Sequence, residues 1–232
     1  NLGSFLTFLD DGPSVEAVLN QDAVALLDET ATSSGLATID TGVIAKGNDP
    51  DVAGAGYISQ AQSTGALVTL SEDAFGADGP AQDGAKVYSL TVENAASGLK
   101  VTDGSDITLV QLASGVVVGV VVGGAFDGQA AFAIQIDSET GVATVEQYLS
   151  LQHPDDSDSD DTVLLAEGSL GVTVTLTDGD GDSVTSAVVD VSGQISFDDD
   201  GPSVEAVLNQ DAVALLDETA TSSGLVTIDT GV

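Results

Sequence analysis

Acidic side chains gather at a few points of the chain, and they are the residues with the clearest chemical potential. The segment Asp178-Gly-Asp180-Gly-Asp182 places carboxylates at alternate positions with glycines between them. This spacing lets the backbone curl so that several carboxylates face one point, and a site of oxygen ligands suits Ca²⁺. An EF-hand is rejected because Ser183 and Val189 stand where that loop needs Gly and Glu. A solvated acidic hairpin is the alternative.

A second acidic cluster precedes a proline, which fixes φ and stiffens the chain. It reads Asp10-Asp11-Gly12-Pro13 and returns as Asp198-Asp199-Asp200-Gly201-Pro202. We predict calcium ligands here as well, a solvated polar linker being the alternative. The strands that follow the Asp178–Asp182 turn run the length of the unit towards the exit junction at Asp198–Pro202. We therefore expect the turn at the opposite, entry end, near Asp10 and Asp11 of its own unit. An interdomain site would then combine linker acids with the hairpin of the following unit.

Two further acidic segments have a less defined role. Leu27-Asp28-Glu29-Thr30, repeated at residues 216–219, either supplies ligands through Glu29 and Glu218 or forms an ordinary turn. The loop at residues 153–161 either binds calcium or is a charged loop, and its His153 is expected to be structural or exposed rather than a catalytic base. The metal ligands predicted for the whole chain are Asp10, Asp11, Glu29, Asp178, Asp180, Asp182, Asp198, Asp199, Asp200 and Glu218.

Composition excludes several classes of function. The chain of 232 residues has 38 Asp and Glu against three Lys, no Arg, and a formal charge of −35. Nucleic-acid binding needs a basic surface, and anionic membranes repel such a chain. Hydrophobic residues make up 42%, so it is not a disordered acidic tail. The chain has no Cys, so it contains no disulfide. The sequence shows no catalytic motif, and we predict that the protein is not an enzyme.

The chain repeats itself at an offset of 189 residues. Residues 11–43 and 200–232 agree at 32 of 33 positions and differ only by Ala37 against Val226. The period is too long for one coil of a solenoid and indicates a tandem array of domains. We predict the end of one repeat at residues 1–12, a complete repeat at 13–197, and a linker with the start of the next repeat at 198–232.

Short runs of β-branched and alternating residues predict an all-β unit. Asp-Gly pairs at 83–84, 103–104, 127–128 and 178–179 mark turns between these runs. This spacing suggests an antiparallel β-sandwich, with one large sandwich favoured over two small ones. Asp22–Leu27 is predicted as a strand rather than a helical turn. The other predicted strands are Lys86–Val92, Ile107–Leu112, Gly115–Val122, Ala130–Ile136, Val142–Leu151, Val163–Ala166, Leu170–Thr177, Ser183–Val191 and Gln194–Phe197.

The motif order resembles a known family. An aliphatic stretch with LDET leads to FAIQIDSETGVATVEQYLSLQHP (132–154), then VTLTDGDGDSVTSAVVDV and the junction FDDDGPSV. This order is similar to the repeat domains of large bacterial RTX adhesins exported by type I secretion, with Asn48–Asp83 matching least. The resemblance implies immunoglobulin-like extender modules in tandem, with calcium at the linkers, outside the cell. The nonapeptide repeats of RTX tails are absent from the sequence.

We therefore expect a calcium-stabilised extender of a cell-surface adhesin, with Ca²⁺ as cofactor and neighbouring repeats of the same chain as partners. Near-identical units in series add length, and the low content of aromatic residues is unlike a recognition surface. The alternative is a calcium-dependent module that binds carbohydrate through the acidic 153–161 loop. No small-molecule substrate and no membrane insertion are expected.

Overall fold

The computed structural model describes residues 11–29, 35–50, 56–155, 157–158, 160–200 and 206, and these residues are all-β. Compact units comprise residues 1–201 and 202–232, and the strands of the described residues lie in the first. No described helix is long and apolar enough to cross a membrane. The strands are β1 (Ser14–Leu19), β2 (Ala25–Asp28), β3 (Ser59–Ala66), β4 (Val68–Ala74), β5 (Lys86–Val92), β6 (Ala96–Lys100), β7 (Asp106–Gln111), β8 (Val117–Val122), β9 (Ala130–Ile136), β10 (Val142–Gln147), β11 (Thr162–Leu164), β12 (Leu170–Thr177), β13 (Ser183–Thr185), β14 (Val189–Asp190) and β15 (Ile195–Asp198).

One layer is a six-stranded antiparallel sheet in the order β3-β10-β9-β8-β7-β6. The predicted Asp-Gly turns at 103–104 and 127–128 connect β6 to β7 and β8 to β9. Strand β9 is apolar on both faces (AAFAI) because both faces are covered. Phe132 and Ile134 join the main core, whereas Ala133 belongs to a second, smaller apolar cluster.

The opposing strands are organised around β12, which pairs with β5 from Leu170 to Leu176. Strands β13 and β14 also pair with β12. The prediction of one continuous strand at Ser183–Val191 is wrong, because this segment is interrupted between β13 and β14. At this point the Ser186 hydroxyl accepts a hydrogen bond from the amide of Val174 at 3.0 Å, so a side chain replaces the regular ladder.

Two smaller pairings complete the unit. Strand β1 pairs antiparallel with β4. Strand β15 pairs antiparallel with β11 and parallel with β2, so residues 25–28 run beside residues 195–198. The strand predicted at Asp22–Leu27 is found as β2, which begins only at Ala25. The parallel pair brings the residues after β2 close to those after β15.

The main core joins the two layers, as expected for one β-sandwich. The rings of Phe132 and Phe197 pack in a tilted arrangement, with their centroids 5.2 Å apart. Alternation along β12 buries Val172 and Val174 and leaves the intervening threonines partly exposed. Burial of these side chains on both inner faces supplies the main favourable term for folding.

A buried carboxylate lies beside the second, smaller apolar cluster. Glu146 is fully buried, and its charge is compensated by four donors. These donors are the amide of Ile39 at 2.9 Å, Lys46 Nζ at 3.0 Å, Gln60 Nε2 at 3.0 Å and the Tyr148 hydroxyl at 2.7 Å. The network satisfies both carboxylate oxygens and ties residues 39–46 to the six-stranded sheet.

Candidate metal centres

The acidic hairpin between β12 and β13 brings its predicted ligands together. One oxygen each from Asp178, Asp180 and Asp182 lies within 4.8 Å of the others. Gly181 has φ +105°, a conformation that side-chain-bearing residues rarely adopt. A Cβ at Gly179 would lie 2.5 Å from the main-chain oxygen of Asp78. The two glycines therefore allow the tight curl that the sequence predicts.

Asp178 is the buried member of this cluster, with only 1% of its surface exposed. Its Oδ1 accepts hydrogen bonds from the amides of Gly181 at 3.1 Å and Asp182 at 2.8 Å. Its Oδ2 is buried and has no hydrogen-bond partner. An unsatisfied buried carboxylate oxygen is costly, and a cation is one way to compensate it.

Asp178 retains its negative charge at neutral pH. Burial by itself raises the pKa of Asp178, but the hydrogen bonds that this carboxylate accepts within the turn outweigh burial and leave the pKa below its usual range. Asp180 and Asp182 are exposed, so the cluster is open to solvent on their side. Oxygens on opposite sides of a Ca²⁺ ion are about 4.6 to 5.2 Å apart, a spacing that this cluster can accommodate.

The hairpin lies at the end of the unit where residue 11 enters it. Gly76 packs directly against the main chain and carboxylate of Asp11, leaving no room for a side chain. Pro80, four residues later, forms a β-bridge with Asp178. The same short segment thus contacts Asp11 and the hairpin, in agreement with the expected placement. Asp10 lies outside the described residues.

A second cluster lies beyond the parallel pair of β2 and β15. Glu29, His153 and Asp199 each offer a ligand atom, and these atoms lie within 4.8 Å of one another. His153 Nε2 is 4.0 Å from Glu29 Oε1, and the two side chains are only 3% and 7% exposed. Sequence reasoning named Glu29 and Asp199 as ligands but did not connect them with His153.

Burial raises the pKa of Glu29 from its ordinary value of 4.5 to about 7. Hydrogen bonds from the Leu151 amide, at 2.9 Å, and from the Gln147 carboxamide oppose this effect, whereas the charge of Asp199 adds to it. A cation at this position would favour the ionised form of Glu29.

The remaining predicted ligands lie in separate surroundings. Asp198 accepts a hydrogen bond from the Thr162 hydroxyl at 2.6 Å, and the amide of Asp200 donates to the Asp199 carboxylate at 2.9 Å. Glu218 lies outside the described residues. In the described part of the 153–161 loop, Asp155 accepts both the amide and the hydroxyl of Ser157, so this carboxylate helps to organise its own loop.

No curated protein and no solved structure matches the chain. A family profile matches residues 23–192, from just before β2 to the 3₁₀ turn at Ser192–Gln194. The matched segment contains the acidic hairpin, Glu29 and His153, and it ends before the linker acid Asp199. Because the match spans more than half of the chain, the protein belongs to the family described as Domain of unknown function (DUF5801).

Proposed function

We propose that this protein is a calcium-stabilised extender module of a repetitive bacterial cell-surface adhesin of the RTX type. The observation that carries the proposal is the buried, unpartnered Oδ2 of Asp178 within a cluster of three carboxylates. The oxygen-only donor set is the kind that calcium prefers, and the hairpin is formed by residues adjacent in sequence. Calcium would compensate both the unsatisfied oxygen and the mutual repulsion of the acids.

The position of the hairpin supports a role at the junction between repeats. Asp11 begins the repeated junction sequence and contacts the segment that also pairs with Asp178. An ion held by the hairpin and by linker acids would restrict the angle between consecutive units. Asp10 and Asp11 would serve at the start of this unit, and Asp198 and Asp200 would take the same role towards the next.

The repeat explains why stiffness is the useful property. Units of near-identical sequence in series add length without adding new specificity. Extracellular modules bind calcium at about 10⁻⁴ to 10⁻³ M, so their sites stay empty in the cytosol and fill outside the cell. A chain of this kind would be loose during export and would become a stiff rod that projects an adhesive tip.

Thermal unfolding in Ca²⁺, Mg²⁺ and EDTA tests the proposal. A site filled to about 100 times its Kd adds about 2.7 kcal/mol to stability, which raises Tm by about 5 to 10 °C for a unit of this size. Asp178→Asn keeps an oxygen for the amides of Gly181 and Asp182 but loses the charge. It should therefore retain the Tm seen in EDTA and lose the rise in calcium.

The matched control is Asp127→Asn, which changes an exposed acid in the turn between β8 and β9. This variant should keep the full calcium response. Equal Tm values in calcium and EDTA for the wild-type protein would refute calcium stabilisation. Small-angle scattering on two consecutive repeats tests the rod separately, because calcium should straighten the pair and an unchanged profile would argue against stiffening.

A further inference from the structure

The environment of His153 does not fit a histidine that only fills space. Its side chain is 3% exposed, and neither Nδ1 nor Nε2 has a hydrogen-bond partner. Buried polar atoms are normally satisfied, so two unsatisfied nitrogens on one ring indicate a missing partner. The ring is within 4.0 Å of a buried carboxylate, a distance too long for a hydrogen bond.

The distances around His153 suit a shared metal ion. Zinc binds imidazole nitrogen at about 2.0 to 2.1 Å and carboxylate oxygen at about 2.0 to 2.2 Å, so two tetrahedral ligand atoms are about 3.4 Å apart. The separation of 4.0 Å between His153 Nε2 and Glu29 Oε1 needs only a small side-chain adjustment to reach this value. Asp199 supplies a third ligand atom within 4.8 Å of both.

The donor types separate this cluster from the acidic hairpin. Calcium takes oxygen ligands, whereas imidazole together with carboxylates suits Zn²⁺ and neighbouring transition metals. A further buried acceptor, Oε1 of Gln147, lacks a partner and belongs to the carboxamide that donates to Glu29. A buried acceptor atom next to Glu29 is therefore left without a protein donor.

We infer that Glu29, His153 and Asp199 form a binding site for a divalent transition-metal ion of the zinc class. The site is independent of the calcium hairpin and assigns Glu29 and Asp199 to a different ion from the one that sequence reasoning predicts. It joins the segment after β2, the segment after β10 and the segment after β15. A bound ion would therefore fasten the start of the following linker to the body of the unit.

Calorimetric titration of Zn²⁺ into the EDTA-stripped, dialysed chain tests the site, with millimolar Ca²⁺ present to occupy calcium sites. We expect one zinc equivalent bound by the wild type and a loss of about tenfold or more in affinity for His153→Gln. Asp127→Asn, which changes an exposed acid between β8 and β9, is the matched control and should bind zinc like the wild type. Equal zinc affinity in His153→Gln and the wild type would overturn the inference.

A second measurement needs no variant. His153 is the only histidine of the chain, so its imidazole resonances are assigned without ambiguity. Addition of one equivalent of Zn²⁺ in millimolar Ca²⁺ should shift the ring nitrogen and carbon-bound proton signals. Unchanged resonances under conditions where calorimetry reports binding would place the zinc on other acids and refute the site.

Discussion

The buried carboxyl group of Glu29 should make the stability of the metal-free protein fall as pH rises. Burial raises its pKa in the folded protein to about 7 from the ordinary value of 4.5. Between these two pH values the folded state holds more protons than the unfolded state. The free energy of unfolding therefore decreases with pH across this window, and the stabilising contribution is fully present only below pH 4.5.

The expected size follows from the distance between the two pKa values. At about 1.4 kcal/mol per pH unit, the loss between pH 4.5 and pH 7.5 is about 3 kcal/mol. For a unit of this size, this loss in the free energy of unfolding corresponds to a fall of about 6 to 12 °C in Tm. Hydrogen bonds hold the pKa values of Asp103 and Asp137 below their usual range, so these acids stay ionised throughout the window.

Urea unfolding in EDTA at several pH values between 4.5 and 7.5 measures this effect. Glu29→Gln removes the titrating group and keeps the side-chain shape, so its free energy of unfolding should lose the Glu29-dependent part of the slope. His153 and Asp199 face Glu29, and the comparison is repeated in a His153→Gln background so that the imidazole does not contribute to the difference. Parallel pH profiles for the wild type and Glu29→Gln would refute the reasoning.

Two predictions concern the core. Glu146→Ala leaves the four donors around this buried carboxylate unpaired. It should lower the free energy of unfolding by about 3 to 5 kcal/mol in chemical denaturation. The control Glu139→Ala removes an exposed carboxylate and should change this free energy by no more than about 0.5 kcal/mol. Gly119→Ala places a Cβ 2.5 Å from the ring of Phe132 and should lower the free energy of unfolding by about 1 to 3 kcal/mol in the same assay. The Cβ of Gly193→Ala would have no atom within 4 Å, so this control should leave the free energy of unfolding nearly unchanged. A Glu139 effect as large as that of Glu146, or equal effects of the two glycine changes, would contradict these accounts.

Sequence alone predicts the elements that are regular along the chain. Strands β5, β9 and β12 are found at the predicted residues, because their apolar or alternating residues and flanking turns specify them locally. The acidic hairpin is equally local, since its three carboxylates lie within five residues of one another. A pattern this short needs only the turn chemistry of Asp and Gly to bring its oxygens together.

Other strands depend on pairing that the sequence pattern does not reveal. Strand β3 reads SQAQSTGA and was not predicted, because its polar residues are ordered by pairing with β10 rather than by their own alternation. Strand β6 likewise contains Gly98, which lies within close contact of Ala166 and weakens the strand pattern. The break between β13 and β14 depends on a hydrogen bond from the distant Val174 amide to Ser186.

The cluster around His153 is the clearest case that only tertiary structure decides. Glu29, His153 and Asp199 belong to three segments separated by many residues, and none has a recognisable ligand spacing to another. They meet because β2 and β15 pair in parallel and bring residue 29 beside residues 198 and 199, while the chain after β10 closes over both. Local composition sets which segments form strands and turns, but the packing of two sheet layers determines which distant side chains become neighbours.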